Sequence, residues 1–309
     1  MDVAQSLSQA IEHHRAGRLG EAAALYRAVL AAQPNHAEAL HMLGAATLQA
    51  GDAHAALPLV RRAVGIDQRD PRIRMTLGNV MLRLDDKDEA LHWYRFATAL
   101  ALDFAPAHNG VGQVLRDMGR LDEARAALEL ALRCDPRLAE AHFNLATVLE
   151  AQGDYAGAVR HYRVALELVP DLPAAALNLG IALVRAGDAE AALAPLERAC
   201  ALLPGSIEAL SALGGVYMQL GRHADAVACH RAALKLAPRA PHLHFNLASA
   251  LAAQGLVEAA LVAYRDALAL DPGFAAAADA ARELCERLGR PEEAERFRRA
   301  VSPRAPARG

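Results

Sequence analysis

The 309-residue chain carries 33 Lys and Arg against 36 Asp and Glu, a formal net charge of −3. That balance offers no basic field to draw in nucleic acid or an anionic membrane surface. The alanine-rich composition, with aromatics at only 4%, favours closely packed helices, and no run approaches the roughly 18 apolar residues of a membrane span.

The opening segment, MDVAQSLSQAIEHH, has an early Asp and lacks the apolar centre of a signal peptide, so a cytoplasmic protein is expected. From Val3 onward the chain falls into nine rows of 34 residues with no insertion: 3–36, 37–70, 71–104, 105–138, 139–172, 173–206, 207–240, 241–274 and 275–308. The pentapeptide HFNLA at 142–146 returns at 244–248, three such periods later. A helical pattern runs from the start of each row to a glycine (Gly17, Gly51, Gly119, Gly153, Gly187, Gly221, Gly255, Gly289). A left-handed C-cap is needed there, and a Cβ is costly in that conformation. A second helical pattern follows, Ala156–Val169 in row five, and proline closes six rows (Pro34, Pro136, Pro170, Pro204, Pro238, Pro272). Each row therefore reads as helix, turn, helix.

Two columns of small residues mark where paired helices touch. One is alanine in every row, from Ala22 through Ala158 to Ala294; the other runs Ala10, Gly44, Gly78, Gly112, Ala146, Gly180, Gly214, Ala248. A leucine column (Leu43, Leu77, Leu145, Leu179, Leu213, Leu247) fills the space around them. No single row buries its apolar faces alone, so only stacking completes a core. Row three has Asp85 for Gly and Leu102 for Pro, which predicts a looser turn. In row nine the segment PEEAERFRRAV is heavily charged, as a terminal cap should be, and the tail 302–309 reads as disordered.

Chemistry-bearing patterns are missing. The cysteines at 134, 200, 229 and 285 form no C-x-x-C pair and are expected to be buried, reduced thiols. There is no H-E-x-x-H, and His13/His14 and His242/His244 are too closely spaced to share a helix face. A metal held between rows by His108 and His142 stays geometrically open. GVGQVLRDMG at 110–119 lacks the third glycine and the preceding strand of a dinucleotide loop. With no G-x-S-x-G and no phosphate loop, no catalytic residue, cofactor or metal is expected, and the chain is not read as an enzyme.

Row seven, with Leu210, Leu213, Gly214, Tyr217, Ala226, His230 and Pro238, and row five, with His142, Leu145, Ala146, Leu149, Ala158, Tyr162 and Pro170, resemble the tetratricopeptide repeat. The expected opening Trp never appears, its column holding Leu40, Arg74, His108, His142, Ala176, Leu210 and His244. The resemblance implies an all-α fold, a right-handed superhelical solenoid of nine helix-turn-helix repeats forming a single domain over 3–301. It also implies that the first helix of every repeat lines a concave groove for a peptide or protein segment.

Columns facing away from the helix-pair core then supply the candidate groove. In rows three and four these are Arg72, Asn79, Arg83, Asn109, Gln113 and Arg116, whose arginines suit an acidic segment or a terminal carboxylate. Rows five to eight are nearly uncharged. Asn144, Asn178 and Asn246 share one column, Phe143 and Phe245 the column before it, with Thr147 and Ser211 nearby. An amide both donates and accepts, so it pairs with a peptide backbone regardless of sequence. The column is similar to the asparagine ladder in the repeats of O-linked N-acetylglucosamine transferase, but Met42, Thr76, Gly110 and Ala212 interrupt it. A structural role for these asparagines fits equally well. A protein-interaction scaffold follows, with a recruiting or regulatory partner of a glycosyltransferase system as the alternative. A chaperone-type carboxylate clamp fits less well, since Met75 stands where it needs Lys. The mixed acids and arginines of the inner columns argue against nucleic acid.

Overall fold

The computed structural model describes residues 2–301, and the tail 302–309 lies outside them. Among the described residues there are 18 helices and no strand, two helices to every row. The first helices are α1 (Val3–Arg15), α3 (Ala37–Gln49), α5 (Pro71–Arg83), α7 (Ala105–Asp117), α9 (Ala139–Ala151), α11 (Pro173–Arg185), α13 (Ile207–Gln219), α15 (Pro241–Ala253) and α17 (Ala275–Arg287). The second helices are α2 (Leu19–Ala32), α4 (Ala53–Ile66), α6 (Lys87–Leu100), α8 (Leu121–Cys134), α10 (Tyr155–Leu168), α12 (Ala189–Leu202), α14 (His223–Leu236), α16 (Val257–Leu270) and α18 (Pro291–Val301). None of them is long and apolar enough to cross a membrane.

Local chemistry sets these boundaries. Asp52, Asp86, Asp154 and Asp188 cap second helices by accepting the backbone N–H three residues on, at 2.8–3.1 Å. Pro71, Pro173 and Pro241 open first helices, where a missing N–H costs nothing. Each first helix ends on a residue with positive φ: Gly119 at 76°, Gly187 at 88°, and six more glycines besides.

Row three corrects the expectation of a looser turn. Asp85 takes the same left-handed conformation, at φ 61°. Its N–H bonds to Leu82 O at 3.1 Å and the Asp86 N–H to Met81 O at 3.0 Å, the pattern that Gly119 and Arg120 make with Arg116 and Leu115. Aspartate is among the few residues that visit this region readily, so the turn survives at a local energetic cost. Without a closing proline, α6 still stops at Leu100, where Ala101 turns extended and the Phe104 N–H bonds back to its carbonyl.

The chain divides at Val169/Pro170 into two compact units. Within each, successive helix pairs stack in chain order as a repeat solenoid. Eight residues of the alanine column, Ala22 to Ala260, have no exposed surface. A Cβ added to Gly44, Gly78, Gly112, Gly180 or Gly214 would come within 2.4–2.7 Å of Val60, Tyr94, Leu128, Leu196 or His230, each on the paired second helix. Those glycines set how closely the two helices approach. In the last repeat the charged helix α18 buries Ala294 and Phe297.

Burial of the cysteines needs correction. Only Cys285 is buried, while Cys134, Cys200 and Cys229 are half-buried on second helices. Burial still pushes the Cys229 thiol up to about 11, with Cys200 and nearby carboxylates adding to it, so it stays protonated and unreactive.

Candidate interaction faces

In the first unit the inner helices are tied to one another by side chains. The Thr76 hydroxyl donates to Arg72 O at 3.0 Å, and so accepts the 2.8 Å bond from His41 Nε2. Two repeats on, Asn144 Nδ2 donates to Asn109 Oδ1 at 2.9 Å, both residues being buried. Arg116 closes the network, its Nη1 donating to Asn144 Oδ1 and Thr147 Oγ1 at 3.1 Å each, while Asp117 balances its charge at 2.8 Å. Asn109, Arg116, Asn144 and Thr147 thus come together as one cluster linking α7 to α9.

The other candidates of this unit stand apart from that cluster. Asn79 accepts from the buried Tyr94 hydroxyl at 2.6 Å. Phe143 packs on Tyr162 with ring centroids 5.8 Å apart. Arg72 is exposed and paired with Asp70 at 2.6 Å. Burial pushes the Asp70 carboxyl up, but the bonds from Arg72 outweigh it and hold the carboxyl below its ordinary value. Gln113, half-buried, and Arg83, exposed in the last turn of α5, make no hydrogen bond to a described residue.

The second unit is built differently. Here α11 packs on α13 and α15 on α17, but α13 and α15 barely touch. Ser211 Oγ on α13 is buried without a hydrogen-bond partner. Asn246 on α15 occupies the column that Thr76 and Asn144 fill in the first unit, is half-buried, and bonds to no described residue. Beside it Phe245 packs on Tyr264 and Phe274, with centroids 6.0 and 5.3 Å away. Ser249 bonds to Phe245 O at 3.0 Å and lies 3.2 Å from the Tyr264 hydroxyl. Asn178, on α11, already has a partner.

Two interactions escaped the column reading. The inner pairs His41/Thr76 and Asn109/Asn144 are both 35 residues apart, so listing polar residues at one period plus one would have found them. The histidines in the Trp column are fasteners: Nε2 of His108, His142 and His244 lies 3.0, 3.1 and 2.9 Å from the carbonyl of Leu102, Pro136 and Pro238, six residues upstream. A carbonyl only accepts, so each Nε2 carries its proton and is no metal ligand. Among the described residues no group of three or more His, Cys, Asp or Glu is placed to hold a metal.

Stacked helix pairs whose first helices offer polar and aromatic columns define a helical-repeat protein. The tetratricopeptide repeat profile matches residues 75–139, 112–173, 143–207 and 211–273, together more than half of the chain. The chain belongs to the tetratricopeptide repeat family. A profile for anaphase-promoting complex, cyclosome, subunit 3 matches residues 15–97. No curated protein is a significant match.

Solved structures share the fold. The Cut9–Hcn1 hetero-tetramer of APC/C aligns with a TM-score of 0.61 at 17% identity over 86% of this chain, which spans 52% of the chain it matches. YrrB, a TPR protein with an unusual peptide-binding site, aligns with a TM-score of 0.58 at 22% identity over 60% of this chain and 96% of its own. PilF from Pseudomonas aeruginosa gives a TM-score of 0.59 at 19% identity over 67% of this chain and 94% of its own. At such identities the likeness concerns the fold alone. None of these matches is a glycosyltransferase, so that alternative gains no support.

Proposed function

We propose that this protein is a non-catalytic interaction scaffold that holds a peptide or protein segment along its first helices, and that the second unit supplies the receptive face. One observation carries the choice of unit: Ser211 Oγ and the Asn246 amide occupy the inner columns without hydrogen-bond partners, where the corresponding groups of the first unit are spent on each other. A buried hydroxyl left unpaired costs free energy that a bound backbone amide or carbonyl recovers. The Phe245, Phe274 and Tyr264 cluster beside it offers an apolar seat for a side chain. Little charge lines this face, which selects for a neutral segment. The likeness to a peptide-binding repeat protein such as YrrB supports the reading at the level of fold.

A phage-displayed peptide library selected on the full chain tests it. Peptides enriched on the wild type should lose about tenfold or more in affinity on the Ser211→Ala/Asn246→Ala double variant, from two lost hydrogen bonds of about 0.5–1.5 kcal/mol each. They should keep their affinity for Asn79→Ala, on the inner face of the first unit. Equal binding to the double variant would move the site elsewhere.

A further inference from the structure

Between α8, α9 and α10 there is a pocket of about 330 Å³. Its floor is apolar, formed by the buried Leu145 and Leu149. Its walls carry Arg125, Glu129 and Arg133 from α8 and Arg160 and His161 from α10, with Asp154 at the α10 cap. Glu129 is taken up by Arg125 at 2.8 Å, and Asp154 accepts the Gly157 N–H at 2.8 Å. Arg133 and Arg160 form no hydrogen bond or ion pair with a described residue. The pocket therefore sets three arginines against two carboxylates above an apolar base, and two of those arginines, Arg133 and Arg160, are unpaired.

His161 adds a proton-dependent donor. Its Nδ1 lies 2.9 Å from Nδ1 of His142, whose Nε2 donates to Pro136 O at 3.1 Å. Since that Nε2 carries the proton of neutral His142, its Nδ1 is a lone pair, and His161 Nδ1 must donate to it. The lone pair of His161 is thereby left at Nε2. A proton added there preserves both existing bonds, whereas one added at His142 Nδ1 would set two N–H groups against each other. The histidine pair takes its proton on His161.

We propose that this pocket binds a compact oxyanion, a carboxylate or phosphoryl group on a short stem, with Arg133 and Arg160 supplying charge and protonated His161 donating from Nε2. Burial, followed by His142 and Arg160, holds the His161 pKa below its ordinary value in the empty pocket, against the opposing pull of Glu129 and Asp154. The remaining charged groups facing it are Arg125 and Arg133 from α8. A bound anion favours the imidazolium, so binding takes up a proton and tightens as the pH falls below the ordinary histidine value. By the same sign, acidification of the empty protein loses stability, and the anion restores it.

The test is a titration of the full chain, labelled at its histidine rings, with inorganic phosphate and separately with butyrate, at constant ionic strength and several pH values. We expect saturable movement of the His161 resonances with at least one probe, and an affinity that rises as the pH is lowered, by at most about tenfold per pH unit. Saturation with butyrate alone assigns a carboxylate, and with phosphate alone a phosphoryl group. The Arg133→Ala/Arg160→Ala variant, altered only at exposed side chains, should fold normally and lose about tenfold or more of this affinity. No saturable shift with either probe, an affinity independent of pH, or unchanged binding by the double arginine variant would overturn the proposal.

Discussion

In the first unit His41 reaches Thr76 and Asn109 reaches Asn144, each from one repeat to the next. In the second unit Ser211 and Asn246 occupy the same two columns and form no such bond. One repeat family thus uses one pair of positions in two ways. Where both residues can donate and accept at the right length, they close on each other and bind helix to helix. Where they do not close, their hydrogen-bonding capacity stays unspent, and the repeats are joined by the apolar columns and by links elsewhere, such as the Tyr217 hydroxyl to Glu197 at 2.9 Å. A polar column in a repeat array is therefore no binding site by virtue of its recurrence; the residue one period plus one away decides what it does.

The comparison assumes that the apolar columns do the same work in both units, and the largest expected effect tests that. Ala158→Leu in the first unit and Ala226→Leu in the second should each overpack a contact with no exposed surface, costing roughly 1–3 kcal/mol in denaturant unfolding. A variant that unfolds like wild type would show that one unit's helix pairs are not held there. Next comes the contrast between asparagines. Asn144→Ala strands the buried Asn109 amide oxygen and removes one of the bonds made by Arg116, and should cost about 1–3 kcal/mol, while Asn246→Ala should stay within about 0.5 kcal/mol of wild type. Equal losses would erase the distinction between the units.

Acid sharpens it further. Burial alone holds His230 of the second unit below the ordinary histidine pKa, and its Nδ1 has no partner. The neutral form is favoured in the folded state, so stability is lost as the pH falls below about 6.5, by at most about 1.4 kcal/mol per pH unit. The loss levels off once the pH passes below the folded-state pKa. Leucine fills the same column at Leu128 and Leu196, and His230→Leu should flatten the fall in melting temperature between pH 7.5 and 5.5. If the slope is unchanged, other histidines carry it. The smallest effect belongs to row three: Asp85→Gly should stabilise by about 0.5–1 kcal/mol by relieving a left-handed Cβ, and a loss instead would mean that the carboxylate holds the turn.

Most of the fold was legible because the period is written in residues with a single use. Glycine at the left-handed turn, alanine between paired helices and proline after the second helix each answer one steric demand, so the register of every helix followed. Asp85 was misread because its tolerance of positive φ is a matter of degree, which a missing glycine does not reveal. The inner face was legible only as a set of positions. Asn144 and Asn246 look alike within their column. Their difference lies in Asn109 and Ser211, residues that the helical pattern never sets beside them. Similarly, His108, His142 and His244 gave no hint of their upstream carbonyls, because a backbone acceptor leaves no mark in the sequence.

The fastening of His108, His142 and His244 to carbonyls six residues upstream has a mechanical consequence. Each link spans the loop that joins one repeat to the next, so tension applied along the chain must break it before a repeat peels away. Extension by optical tweezers should accordingly favour partial ruptures at the junctions that lack it, such as the one entering Leu210, where the column carries no side chain able to donate. Under load these junctions would behave as perforations, and the histidine-bearing ones as rivets.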